Sequence, residues 1–333
     1  MNTRIINGYN ALITRANEKI SDSSLDSKTK TGYRFKIGHY KKALKKILNL
    51  DDEIATIDVA ISLDVFTKGE LTHIEKFLED TSLDSTIKID TKTKELELLQ
   101  TITGIGPKRA VTLYEKGATL KKLLNGEYDE LLTHHQRMGV KYYHDLNERI
   151  PRQEITKMRN FMESHLSDGY KIMICGSYRR EVLTSGDMDV LVYHPDVEDI
   201  LHDTYFADFI EHLTDINFLV DSLTPNINTT KYMGMCRMSP KHRVRRIDVR
   251  FIPYSSLASA MLYFTGSGDF NKNMRTFAIK KGFKLNEYGI FKVDKKTPSE
   301  IRMEANTEED IFNTLGLEYI APRDRLASVK FKK

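Results

Sequence analysis

Cysteine is nearly absent: 333 residues hold two, Cys175 and Cys236. Two cysteines so placed build no disulfide framework and have no zinc-ligand spacing, which suits a reducing intracellular compartment. Cys175 is expected to pack as a small apolar residue in a strand. Long apolar runs are missing as well, and no segment approaches the roughly 20 residues of a membrane span. The start, Met1-Asn2-Thr3-Arg4-Ile5-Ile6-Asn7, lacks the apolar core of a signal peptide. The expectation is therefore an intracellular protein that is not secreted and has no membrane partner. An excess of one charge sign is lacking too, with 51 basic against 47 acidic side chains and a net +4. At 40% hydrophobic and 29% charged, the chain is long enough and ordinary enough for two or more domains.

The distribution of charge says more than its sum. Lys231, Arg237, Lys241, Arg243, Arg245, Arg246 and Arg250 crowd around one acid, Asp248. A charge run is usually a solvated face, but these cations flank a motif that a polyanion would have to cross. Residues 176–189 read Gly-Ser-Tyr-Arg-Arg-Glu-Val-Leu-Thr-Ser-Gly-Asp-Met-Asp, just ahead of the apolar run Val190-Leu191-Val192-Tyr193. On a strand, side chains two apart share a face, so Asp187 and Asp189 converge while Met188 and Val190 face the core. Two acids that close repel unless a cation lies between them, and a divalent metal is the obvious one. Residues 246–252, Arg-Ile-Asp-Val-Arg-Phe-Ile, alternate so that Ile247, Val249 and Phe251 face one way and Asp248 and Arg250 the other. If this strand lies beside the first, Asp248 completes a three-carboxylate cradle for Mg²⁺. Such a cradle holds two ions about 3.5–4 Å apart, one activating a hydroxyl and one neutralising a triphosphate, and the chemistry implied is nucleotidyl transfer.

An Asp-x-Asp alone is common in turns, so the preceding residues matter. Gly176 and Ser177 follow the apolar run 170–175, at a strand end where N–H groups and a hydroxyl reach phosphate oxygens. Arg179 and Arg180 follow as cations for the same phosphates. Upstream, Gly104-Ile105-Gly106-Pro107-Lys108-Arg109-Ala110 separates two stretches of helical spacing. That pattern describes a helix-hairpin-helix, whose glycines let backbone N–H groups approach a DNA phosphate. Pro107 suits a helix start.

Together these motifs resemble the family X DNA polymerases, most closely the beta branch, over roughly residues 90–330. His134-His135-Gln136-Arg137-Met138-Gly139-Val140-Lys141-Tyr142, Arg149-Ile150-Pro151-Arg152, residues 263–275 (Tyr-Phe-Thr-Gly-Ser-Gly-Asp-Phe-Asn-Lys-Asn-Met-Arg) and residues 282–288 extend the match. The resemblance implies that Asp187 and Asp189 bind both metals and that Asp248 binds the catalytic one and helps activate the primer 3′-hydroxyl. It places Arg149, Ser177, Arg180 and Gly186 on the incoming triphosphate and Arg246 near the primer end. Tyr263, Phe264 and Gly266 would crowd the sugar 2′ position, Asn271 would reach the base edge, and Lys272 and Arg275 would meet the template. Gly104, Gly106 and Lys108 would grip DNA, and the carbonyls of Gln100, Ile102 and Ile105 would hold a monovalent cation, K⁺ or Na⁺. Two Mg²⁺ ions are implied, with Mn²⁺ as a substitute.

The sequence departs from the family pattern twice. Gly268, followed by Asp269, stands where relatives carry an Asp that touches the nucleotide. In the N-terminal region, where the family has a lysine nucleophile for removing a 5′-deoxyribose phosphate, the matched position is His73. Leu63-Asp64-Val65-Phe66-Thr67 also lacks the glycines of a first hairpin. Lys68 and Lys76 lie close by, and no spacing argument selects either as a substitute. Helices are expected over Tyr33–Leu48, with a dense basic face, and over Gly69–Glu79. This region is expected to bind the downstream DNA end through Lys36, Tyr40 and Lys41, with lyase chemistry the less expected of its roles.

The expected fold class is α+β multidomain. It comprises a helical domain over 1–86, a helix-hairpin-helix subdomain over 87–150, a nucleotidyltransferase palm with a mixed sheet over 151–254, and a small α+β nucleotide-selection subdomain over 255–333. Ser21–Lys30 and Asp80–Thr86 read as polar linkers. With no exonuclease-sized domain, the expectation is a non-proofreading, template-directed polymerase that fills short gaps in DNA repair, as in base excision. Its partners would be gapped or nicked duplex DNA and dNTPs, with a DNA ligase or other repair proteins consistent with that role. It would act as a monomer wherever the DNA is, in nucleus, cytoplasm or virion. The alternatives are untemplated terminal transfer, which the short segment Pro225–Arg245 disfavours, transfer to RNA or a small molecule, and an inactive DNA-end binding protein.

Overall fold

Helix starts in this chain are written by threonine caps. Thr67 accepts the Glu70 N–H while the Glu70 carboxylate receives the Thr67 N–H, and Thr133 with Gln136 and Thr307 with Asp310 repeat the exchange. The computed structural model describes residues 2–22, 24–48, 50, 52–84, 91–198, 200, 204–223, 230–293, 299–326 and 329–331. These form two units, Met1–Thr93 and Lys94–Lys333.

The first unit is helical: Thr3–Ser21, Ser27–Leu48, Ile57–Ser62 and Lys68–Glu79, then a 3₁₀ turn at Thr81–Asp84. Ile5, Tyr9, Ala43, Ile47, Ile54, Ile74 and Phe77 form its core. Two polar stretches read as linkers are partly ordered instead. Ser27–Lys30 is the first turn of a helix, because Asp26 accepts the N–H groups of Lys28 and Thr29 as a cap. Asp80 likewise accepts the Ser82 N–H and leads into the 3₁₀ turn. Ser23, residues 85 and 86, and residues 225–229 of the short segment lie outside the described residues.

In the second unit, Leu99, Ile102, Ile105, Ala110, Leu113, Leu123 and Leu132 close a small helical core around the Gly-x-Gly turn. Ten strands follow among the described residues: β1 (Ile150–Pro151), β2 (Lys171–Ile174), β3 (Thr184–Ser185), β4 (Met188–Tyr193), β5 (Leu219–Ser222), β6 (Lys231–Cys236), β7 (Arg245–Phe251), β8 (Phe283–Asn286), β9 (Gly289–Val293) and β10 (Glu300–Met303). The main sheet runs β2-β4-β7-β6-β5; β4 and β7 are parallel and every other neighbour is antiparallel. Its apolar face packs on Met158, Met162, Phe206, Phe209 and Ile210. Each side chain of that size, fully buried, contributes about 1.5–3 kcal/mol. A second sheet, β10-β9-β8, is antiparallel, and Leu285 and Ile290 from it share a core with Phe270, Met274, Phe277, Ile311 and Phe312. Among the described residues no helix is long and apolar enough to cross a membrane.

Candidate active site

Strand alternation places the acids. In β4, Met188 and Val190 are buried, which turns Asp187 and Asp189 to the opposite face. In β7, Arg245, Ile247, Val249 and Phe251 are buried and Arg246, Asp248 and Arg250 share the other face. The parallel register sets Asp189 directly opposite Asp248, as the alternation requires if the strands are neighbours. Gly176, at φ +57°, sits against this cluster, where a Cβ would lie 2.4 Å from Asp189 Oδ2. Glycine is needed there for the carboxylate to pack as well as for the backbone turn.

The electrostatics are those of acids short of a cation. Burial, then the charges of Asp187 and Asp248, push the Asp189 carboxyl up to about 7, against the pull of Arg246 and Arg180. Burial also raises Asp187 above its ordinary range. Asp248 Oδ1 is buried without a hydrogen-bond partner, while Arg246 Nη2 donates to Oδ2 at 3.0 Å. All the donors are hard carboxylate oxygens, the set that suits a divalent ion such as Mg²⁺. Among the described residues, no group of three or more His, Cys, Asp or Glu side chains stands gathered at metal-ligand spacing.

A cavity of about 650 Å³ opens beside the acids. Asp187, Asp189, Ser177, Arg180, Tyr263, Phe264, Gly266, Asn271, Lys272 and Arg275, all anticipated from the sequence, line it. Ser177 Oγ donates to Ser185 Oγ at 2.8 Å, and Arg180 Nη1 donates to the Thr265 carbonyl. Asn271 Nδ2 donates to the Tyr263 carbonyl at 2.6 Å, and the Arg275 guanidinium lies 6.0 Å from the Tyr263 ring centroid. Asp248, Arg246, Arg149 and Gly186 stand outside the lining. Arg149 is held by Thr184, with Nε donating to Oγ1 at 2.7 Å. A Cβ on Gly186 would stand 3.9 Å from the Arg149 guanidinium. Gly176, Thr265, Gly268, Thr276 and Ile279 complete the wall; Gly268 is the departure from the family pattern noted in the sequence, and Thr276 and Ile279 lie beyond the matched segment 263–275 and were not selected by sequence reasoning.

Two cations read as phosphate or polyanion contacts are engaged elsewhere. Arg179 makes a bidentate pair with Glu308, at 2.9 Å for both bonds, and reaches Thr265 Oγ1. Arg245 is buried in a bidentate pair with Glu154. Both are structural, since a guanidinium withdrawn from water needs a carboxylate. Arg243 adds surface pairs to Glu148 and Asp145, so the basic run is less open to a polyanion than its count suggests.

At the hairpin turn, Gly104 has φ +89°, and Gly104, Gly106 and Lys108 are exposed. The Ile102 carbonyl accepts the Ile105 N–H at 3.0 Å, both side chains being buried, and the Gln100 amide bonds to Leu96. In the first unit, Lys36 is exposed with its ammonium 5.1 Å from the Tyr33 ring. Tyr40 is half-buried and packs edge-on against His73, which also neighbours Tyr9 and Phe77. His73 Nδ1 is in hydrogen-bond contact with the Gly69 carbonyl at 2.7 Å, and Lys68 and Lys76 are exposed.

Comparison with known proteins agrees with this layout. The family model for the DNA polymerase beta palm matches residues 149–254, that for the beta thumb matches 260–326, and that for the fingers domain of DNA polymerase lambda matches 97–147. The chain belongs to family X of the DNA polymerases. DNA polymerase lambda of Rattus norvegicus is 32% identical over 299 residues, covering 86% of this chain and 52% of that protein. DNA polymerase lambda of Arabidopsis thaliana is 29% identical over 306 residues, covering 86% and 57%. The chain thus spans about half the length of the curated relatives it matches. The family X palm corresponds to the sheet that carries the three acids, and the thumb to the opposite wall of the cavity.

Proposed function

We propose that this chain is a template-directed DNA polymerase that fills short gaps by two-metal nucleotidyl transfer. What supports this most is the pairing of Asp189 with Asp248 across a parallel strand pair, with Asp187 and Asp189 on the wall of a cavity whose other side is a family X thumb. Asp187 and Asp189 would hold both divalent ions and Asp248 the one nearer the primer, with Mg²⁺ the expected ion and Mn²⁺ a substitute. Bound there, the metals lower the pKa of the attacking hydroxyl and neutralise the triphosphate. Ser177, Arg180, Gly186 and Arg149 hold the phosphates, and Arg246 steadies the primer end. Tyr263, Phe264 and Gly266 exclude a 2′-hydroxyl, and Asn271 leaves the Tyr263 carbonyl to meet the base edge. Lys272 and Arg275 face the template. The primer 3′-hydroxyl gives up its proton to water, its oxygen bonds to the α-phosphorus, the bond from that phosphorus to the bridging oxygen breaks, and pyrophosphate leaves with the electron pair.

In this reading residues 87–150 form the DNA-gripping subdomain, through Gly104, Gly106 and Lys108, with a K⁺ or Na⁺ ion at the carbonyls of Gln100, Ile102 and Ile105. Residues 151–254 are the palm and 255–333 the nucleotide-selection part. Residues 1–86 hold the downstream DNA end through Lys36, Tyr40 and Lys41, without Schiff-base chemistry, since an imidazole at 73 offers no primary amine. The test uses a one-nucleotide-gapped duplex with a downstream 5′-deoxyribose phosphate, and each dNTP singly. Single addition matched to the template, with the sugar phosphate left in place, is expected. Ungapped single strands extended as fast as the gap, with any dNTP, would overturn it in favour of terminal transfer.

A further inference from the structure

Five buried side-chain polar atoms among the described residues lack a hydrogen-bond partner, Arg237 Nε and Arg250 Nε among them, and three, Asp248 Oδ1, Arg246 Nε and His135 Nε2, belong to side chains whose charges act on one another. A buried N–H or lone pair left unmade is costly, and each such atom in a folded protein calls for an explanation. In the function proposed above, a metal would take Asp248 Oδ1. The other two are a donor and, in one tautomer, an acceptor.

His135 is held in place from the hairpin side. Its ring lies under the turn, where a Cβ on Gly104 would come within 3.2 Å of it, and the next residue, Gln136, donates to the Gly104 carbonyl. Burial, then the positive charge of Arg246, disfavours the imidazolium, with the Asp248 charge opposing. A neutral ring with its proton on Nδ1 presents Nε2 as a free lone pair. Arg246, for its part, occupies Asp248 Oδ2, one of the oxygens that a metal would need.

We infer that His135 is the second seat of Arg246: when Asp248 turns its oxygens to a divalent ion, the Arg246 guanidinium rotates and donates through Nε to His135 Nε2. Arg246 thus guards the carboxylate at rest and is caught by the hairpin's own histidine when the acid is needed. His135 is a positioning residue, acting on Asp248 through Arg246 and touching neither metal nor substrate. The inference rests on the proposed metal role of Asp248.

The test is Mn²⁺ binding to the full chain, read from the loss of the free-ion electron paramagnetic resonance signal, alongside the Mg²⁺ dependence of gap filling. His135→Phe keeps the ring volume and removes the acceptor, while His135→Gln puts an amide oxygen near the Nε2 position. The phenylalanine variant should bind Mn²⁺ roughly five- to tenfold more weakly, the effect of one lost hydrogen bond, and need correspondingly more Mg²⁺. The glutamine variant should recover most of the loss, and in an Arg246→Ala background the phenylalanine change should have no effect. Unchanged Mn²⁺ affinity in a folded His135→Phe, no recovery with glutamine, or an equal loss without Arg246 overturns the inference. If the phenylalanine variant does not fold, the glutamine variant with and without Arg246 decides: a shared small effect in both backgrounds counts against the seat. A wild-type chain that neither binds Mn²⁺ nor needs Mg²⁺ would instead refute the metal reading itself.

Discussion

Replacing Asp189 by asparagine should make the metal-free protein more stable while destroying its activity. Folding moves this carboxyl from 3.8 to about 7, through burial and the charges of Asp187 and Asp248. At about 1.36 kcal/mol per pH unit, that sets a ceiling of roughly 4 kcal/mol on the cost of keeping it ionised in the fold. Arg246 and Arg180 already offset part of the repulsion, and an asparagine amide still needs partners in the site, so a gain of about 2–4 kcal/mol is expected. The sign follows from proton linkage: the folded state binds this proton more tightly than the unfolded chain. The destabilisation is therefore full above pH 7, shrinks as the pH falls from 7 towards 3.8, and vanishes below that window. Urea unfolding in the presence of a chelator, at pH 8 and pH 5, reads it directly. Asp189→Asn should exceed wild type at pH 8 by more than at pH 5, and added Mg²⁺ should stabilise wild type far more than the variant. A variant less stable than wild type at pH 8, or a gain independent of pH, would refute the claim that three carboxylates crowd one another here.

Other perturbations test separate parts of the account. Glu308→Gln leaves Arg325, fully buried, and Arg179 without their carboxylate; it should cost about 3–5 kcal/mol in urea unfolding. Burial acts to raise the Glu308 pKa, but the bonds from Arg325 and Arg179 hold it below its ordinary 4.5. The contribution it makes should therefore persist above pH 4.5 and fade as the pH drops through the folded value, a loss the variant will not show. Gly176→Ala sets a Cβ 2.4 Å from Asp189 Oδ2 at a positive φ; single-turnover addition should fall by about 100-fold with the fold retained by circular dichroism. Gly104→Ala, at φ +89° and 3.2 Å from the His135 ring, should weaken binding to gapped duplex by roughly tenfold in a fluorescence anisotropy titration.

The acids were legible because strand periodicity is a local property. Met188 and Val190 must go inward, so Asp187 and Asp189 must not, and the same rule fixes Asp248. That β4 and β7 are neighbours was a conditional expectation, for pairing depends on the sheet's order. The partners of cations were not legible at all. Arg179 follows Gly-Ser like a phosphate ligand, yet its carboxylate is Glu308, far along the chain. Arg245 sits in a basic run and is a buried pair with Glu154. Composition likewise misjudged Ser27–Lys30, whose polarity belongs to a capped helix start. The helix from Thr3 to Ser21 was not singled out in the sequence, where residues 1–86 read as a helical domain with helices placed only over Tyr33–Leu48 and Gly69–Glu79.

The central claim is that Asp187, Asp189 and Asp248 form one metal-dependent nucleotidyl-transfer site. Single-turnover insertion of the matched dNTP into a one-nucleotide gap, comparing wild type with Asp248→Ala under saturating DNA and Mg²⁺, tests it most directly. The account predicts that the variant binds the gapped duplex within a few-fold of wild type while its insertion rate drops by about a thousandfold or more. An Asp248→Ala protein that inserts the matched nucleotide at near the wild-type rate would contradict it.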